Sequence, residues 1–136
     1  MPDSMSRYAL GMQTRRKVLG EAYVDAAVAG ITPFNEDFQT LITETAWGNV
    51  WSRNTIPLRE RSMLTIALLA ALGHYDEVAM HVRATRNTGA SLEDIKEALL
   101  HVAIYAGVPA ANHAFKIAAK AYFEQDMADK ETDHAQ

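Results

Sequence analysis

Met63 to Leu72 is apolar at every position except Thr65. Ten residues of this kind are too many for an ordinary strand and about half of what a membrane span requires. The run therefore reads as the second half of a helix, Leu58 to Leu72, that is apolar all round. Such a helix is covered on every side. In a chain of 136 residues full coverage calls for neighbouring subunits as well as neighbouring helices.

Gly73 separates this run from His74-Tyr75-Asp76-Glu77-Val78-Ala79-Met80-His81. Residues three and four apart share a helix face. His74, Glu77 and His81 thus form one stripe if the segment is helical. Three readings stay open. The stripe is a solvated face with a Glu–His pair, or a partial metal site, or an acid–base group in which the carboxylate raises the proton affinity of the imidazole. The metal reading suffers because two histidines seven apart span two turns and do not converge readily on one ion.

The rest of the chain is helical in its periodicity, with almost no strand alternation and no internal repeat. The expected helices are Arg7 to Ala29, Phe34 to Val50, Leu58 to Leu72, His74 to Asn87, Leu92 to Ala106 and Ala110 to Gln125. Ser91-Leu92-Glu93-Asp94 resembles a capping box, with Asp in the place of Glu or Gln. Gly107-Val108-Pro109 breaks the chain before the last helix. Residues 1–6 and 127–136 read as loose termini around a single domain. The expectation is an all-α bundle of about six helices, assembled as a homo-oligomer.

Composition excludes several classes. There are no cysteines, hence no disulfides, thiol catalysis or thiolate metal ligands. The net charge is −4 and no basic tract is present, so nucleic acid is not an expected partner. Neither a signal pattern nor a spanning segment stands out, and the chain reads as soluble and cytoplasmic.

Two further groups carry candidate chemistry. Glu44, Trp47 and Trp51 are spaced by three and four, either a core stripe with one exposed acid or a pocket wall in which aromatic rings surround a carboxylate. Arg53 follows Trp51 closely, and Arg59 lies one turn before Ser62. A guanidinium in a partly buried site is a natural grip for a carboxylate substrate. His101, Tyr105 and Glu97 share a face that reads as a subunit contact. No phosphate loop, nucleophile elbow or HExxH motif occurs.

Several blocks follow one another in order: Arg16-Lys17-Val18-Leu19-Gly20, Thr32-Pro33-Phe34, Ala46-Trp47-Gly48, Ala67 to Gly73, Arg83 to Gly89, and the long stretch His101 to Phe115. Together they resemble the carboxymuconolactone decarboxylase family, from about Arg7 to Phe123. That family belongs to a superfamily with the alkylhydroperoxidase D-type proteins. The resemblance implies an alkylhydroperoxidase D-like helical subunit in a ring-shaped trimer or hexamer. The superfamily signature places two cysteines at His74 and Glu77, a histidine at His81 and an upstream Glu near Ser62. Only the histidine is kept here, and without sulfur there is no disulfide cycle.

The activity implied is decarboxylation of a lactone dicarboxylate with no metal and no organic cofactor. The implied roles are proton delivery by His81 with Glu77 beside it, and Glu44 as a second acid–base group. Arg53 or Arg59 would grip a carboxylate, Trp47 and Trp51 would exclude water, and His74 would border the substrate. The alternatives are another lactone or hydroperoxide-type substrate, or a non-catalytic assembly subunit.

Overall fold

The computed structural model describes residues 5–135, and the side chains of residues 5–131. All regular structure among them is helical. The described residues fall into two compact units that meet in sequence at Leu58 and Arg59.

The first unit holds α1 (Arg7–Leu19), α2 (Glu21–Ala29), α3 (Glu36–Ile42) and a π-helical segment, Thr43–Trp51. Ser6 caps α1, its Oγ accepting from the Ala9 N–H at 3.0 Å. The expected loose start is thus ordered from the cap onward, while residues 1–4 lie outside the described residues. The single helix expected over Arg7 to Ala29 is broken at Gly20, which has φ 95°. Only glycine takes that conformation without strain. Arg16 spans the break, with Nη1 2.6 Å from Glu21 and 2.8 Å from Asp25.

The expected helix from Phe34 to Val50 starts later and changes its winding. After α3 it opens into nine residues of π-helix, a geometry rarely longer than one turn. Three hydroxyls compete for carbonyls along this stretch: Thr43 with Gln39 O, Thr45 with Leu41 O and Ser52 with Gly48 O. Back-bonding of this kind loosens a helix. The segment also lies against α1 at backbone distance. A methyl group on Gly11 would stand 1.9 Å from the Thr43 carbonyl oxygen, and one on Gly48 would stand 2.8 Å from the Arg7 carbonyl oxygen. The Arg7 guanidinium donates to the Gly48 carbonyl at 3.1 Å across the same seam.

The second unit holds α4 (Leu58–Leu72), α5 (Tyr75–Thr88), α6 (Leu92–Tyr105) and α7 (Val108–Ala135). The expected six helices become seven α-helices and the π segment. Ile66 and Ala70 of α4, Val78 and Val82 of α5, and Ile95, Leu99 and Val102 of α6 form the core with four alanines of α7. Those alanines, Ala111, Ala114, Ala118 and Ala121, let α7 lie close to α5 and α6. The Ser91 capping box is present, with Ser91 Oγ accepting from the Asp94 N–H and Asp94 accepting from the Ser91 N–H. The C-terminal tail expected to fray is helical to Ala135. Arg86 of α5 holds Asp129 at 3.1 Å and Gln125 donates to the same oxygen at 2.9 Å.

The apolar α4 is not covered on every side in the single chain. Ile66 and Ala70 are buried, while Leu64, Leu68 and Leu72 are 56–69 % exposed. These leucines recur every four residues and line one face. No helix among the described residues is long and apolar enough to cross a membrane.

The seam in the first unit gives a direct test. Gly11→Ala forces a methyl group into the Thr43 carbonyl, and the backbones must part. We expect a loss of about 3 kcal/mol or more in urea unfolding. An unchanged midpoint would show that α1 and the π segment do not meet at this distance.

Candidate functional site

In the second unit α5 sorts the His74/Glu77/His81 stripe by burial. His74 is the N-cap residue, outside the helix proper and exposed. Glu77 is exposed on the first turn, whereas His81 is only 6 % exposed. The stripe is therefore one buried imidazole with two solvated neighbours. Among the described residues no three His, Asp or Glu side chains are grouped closely enough to share a metal ion.

Burial decides the protonation of His81. Desolvation lowers its pKa to about 4, and the opposing pull of Glu77 is the smaller effect. The sequence had suggested the reverse, a proton affinity raised by the carboxylate. Glu77 lies in water, where its field is screened, while the imidazole has lost its own hydration. His81 is neutral at neutral pH.

The buried face of α5 continues from His81 through Thr85 to Thr88, at spacings of four and three. Thr85 donates to the Val82 carbonyl at 2.6 Å. Thr88 Oγ1 lies 2.7 Å from Ser62 Oγ on α4, and both residues are buried. The resemblance puts the upstream acid of the superfamily signature near Ser62. Ser62 itself belongs to a neutral hydroxyl pair, and Thr88, not singled out from sequence, is its partner.

Arg59 has a different occupation from the one expected. Its Nε and Nη2 donate to the two oxygens of Asp94 at 2.8 and 2.6 Å. This fork, with the Ser91 N–H, holds the Asp94 carboxyl well below the usual carboxylate range. Asp94 thus closes the α6 cap and ties it to the start of α4. Arg59 is committed to a structural pair.

In the first unit the π segment carries the aromatic group. Trp47 and Trp51 are buried, with ring centroids 5.2 Å apart and planes tilted by 32°. Glu44, one turn earlier, is half-buried. Arg53 is exposed just beyond the segment. With Lys17, Thr14, Trp51 and Ser52 it lines a cleft of about 240 Å³ that has two cations and no carboxylate on its walls. Lys17 was not singled out from sequence. It follows Arg15 and Arg16 in the chain.

The described residues are thus helical, with a buried neutral imidazole in the second unit and a cationic cleft in the first, and the chain has no thiol. Residues 36–120 match the carboxymuconolactone decarboxylase family, and the chain belongs to it. It is 43 % identical to a 4-carboxymuconolactone decarboxylase of Acinetobacter baylyi, over 90 % of this chain and 91 % of that one. It is 39 % identical to the nitrosuccinic acid decarboxylase npaB of Metarhizium robertsii, over 88 % of this chain and 82 % of that one. A 4-carboxymuconolactone decarboxylase sequence of Pseudomonas putida is 47 % identical over 35 % of this chain and 98 % of its own length.

The pH dependence of stability follows from His81. The unfolded imidazole titrates near 6.5 and the folded one near 4, so the unfolded chain takes up the proton first as the pH falls. The contribution of the neutral imidazole is complete above about pH 6.5 and drains away as the pH falls to about 4, amounting to about 3 kcal/mol. We expect wild type to lose about that much more stability than His81→Gln between about pH 7 and about pH 4 in urea titrations. Parallel losses would place the imidazole in water.

Proposed function

We propose that the chain decarboxylates 4-carboxymuconolactone to 3-oxoadipate enol-lactone and carbon dioxide, the step that this reaction occupies in protocatechuate breakdown by the beta-ketoadipate pathway. The observation that carries this reading is the 43 % identity to a relative of that name across nine-tenths of the chain. The substrate's leaving carboxylate sits on the ring carbon vinylogous to the lactone carbonyl. When the carbon–carbon bond breaks, its electron pair moves through the ring double bond to the carbonyl oxygen. One proton then returns to the carbon next to that carbonyl. The ring accepts the electrons, so the protein has only to bind, stabilise the oxyanion and handle the proton.

His81 is our choice for the proton. A neutral buried imidazole donates a hydrogen bond to a developing oxyanion without first losing a proton. A dianionic substrate beside it also favours the charged form, as does Glu77, and so draws a proton onto the ring when it is needed. Arg53, with Lys17 in the same cleft, is our choice for a carboxylate grip, because Arg59 is already paired with Asp94. Glu44 is a second acid–base group, Trp47 and Trp51 exclude water, and His74 borders the bound substrate. Assembly as a ring-shaped trimer or hexamer in the cytoplasm belongs to the same reading. The exposed Leu64, Leu68 and Leu72 face supports it, and a monomer in light scattering would remove it.

A second reading has its own support in the nitrosuccinic acid decarboxylase relative. That substrate is also a dicarboxylate, with a nitro group beside a leaving carboxylate in the role of the lactone. Carbon dioxide release from each compound separates the two. We expect kcat/KM for the lactone to exceed that for nitrosuccinate, and the opposite order would exchange the substrates. His81→Ala should lower kcat for the better substrate by about 10²–10⁴-fold in protein of unchanged assembly. Near-normal turnover would take His81 out of the reaction.

A further inference from the structure

α5 and α7 leave a groove of about 370 Å³ between them, and all of its lining residues belong to the second unit. Its floor is apolar. Ala79 of α5 and Ile117 of α7 are half-buried there, and Ala121 is buried. Near the starts of the two helices Tyr75 and His113 bring their rings together, with centroids 3.9 Å apart and planes tilted by 31°. His81 is not on these walls. Ala79 and Arg83 are each two residues away from it, which puts them on the other side of the helix.

Three cations line the groove: Arg83 from α5, and Lys116 and Lys120 from α7. Two carboxylates, Asp76 and Glu124, stand with them. Counting these five groups, the groove is positive, in a chain whose net charge is −4. None of the five is in an ion pair among the described residues. Elsewhere on the same two helices such groups do pair: Arg86 holds Asp129 at 3.1 Å, and Lys130 holds Asp126 at 3.2 Å.

The spacing explains why the groove charges are left over. Lys116 and Lys120 are four apart on one face of α7, a like-charge pair that weakens a helix. Lys120 and Glu124 are also four apart, but a lysine ahead of a glutamate is the poorer order for pairing. Solvated cations alone select no ligand. These three share a concave site with an apolar floor and two aromatic rings, the combination that holds the body of a small molecule while polar groups fix its end.

We propose that this groove binds a small aromatic carboxylate, at a place separate from His81. The carboxylate meets the Arg83 guanidinium and the lysine ammonium groups, which grip it from two helices. The ring lies on the alanine and isoleucine floor, beside Tyr75 and His113, where offset or edge-on ring contacts are favourable. An inorganic anion would gain the charge contacts and none of the rest. The inference is independent of the reaction proposed above.

The test is an NMR titration of the full-length protein with sodium benzoate, against sodium acetate and sodium phosphate at equal ionic strength. Benzoate should give saturable shifts of the Tyr75 and His113 ring signals and of the Lys116 and Lys120 amides. Its Kd should be about tenfold or more below that of acetate, because only benzoate buries a ring. Arg83→Gln with Lys120→Gln should raise the benzoate Kd about tenfold or more, as expected on losing charged hydrogen bonds. Ile117→Ser should weaken benzoate and leave acetate unchanged. Equal binding of benzoate, acetate and phosphate would reduce the groove to bare charge and overturn the proposal. Shifts that never saturate would overturn it too. So would shifts centred on His81 that survive the double substitution, because benzoate would then occupy another site. If wild type ignores benzoate while the double variant gives a smaller particle in light scattering, the groove belongs to a contact with a second copy and the proposal fails. Should the double variant fail to fold, Lys116→Gln alone decides: a raised benzoate Kd supports the site, and an unchanged one refutes it.

Discussion

Removal from water acts oppositely on a side chain that can shed its charge and on one that cannot. His81 sheds it, and burial brings its pKa to about 4. Arg15 cannot, and stays charged with neutral partners on one nitrogen. The second unit thereby gains a neutral imidazole inside α5, and the first gains a cation inside α1. Neither state would arise on a solvated helix face, where the imidazole would titrate near 6.5 and the guanidinium would lean into water. Both depend on packing that closes over the group. His81 shares the buried side of α5 with Val78 and Val82, and Arg15 reaches Gln39 and Thr43 from α1.

Local signals were legible in the sequence. The end of α4 at Leu72 follows from Gly73, and the α6 start follows from Ser91 and Asp94. What was not legible has tertiary causes. The π segment has the composition of an ordinary helix, and its widening goes with hydroxyl back-bonds and the backbone contact with α1. The continuation of α7 to Ala135 goes with Arg86 reaching Asp129, a contact between residues far apart in sequence.

The same division runs through the site. The face shared by Glu77 and His81 can be read from spacing, but which of them is buried cannot. Spacing therefore suggested a raised proton affinity where desolvation lowers it. Arg59 looked available because Asp94 lies 35 residues away. Arg15 and Lys17 were not read as site residues, and nothing in three consecutive cationic residues tells that one of them, Arg15, is inside. The absence of cysteine was legible and decisive, since it removes thiol chemistry at the positions where the superfamily pattern uses it.

A reaction in which the substrate holds its own electrons asks for little beyond shelter, a grip on carboxylate and control of one proton. A depressed imidazole pKa is the feature on which that control turns, because it keeps the ring neutral until negative charge arrives. Site-resolved NMR titration of the His81 imidazole in the free protein tests this most directly. A midpoint near 4 is the expected result. A midpoint near 6.5 would mean that His81 is hydrated and that burial does not set its protonation.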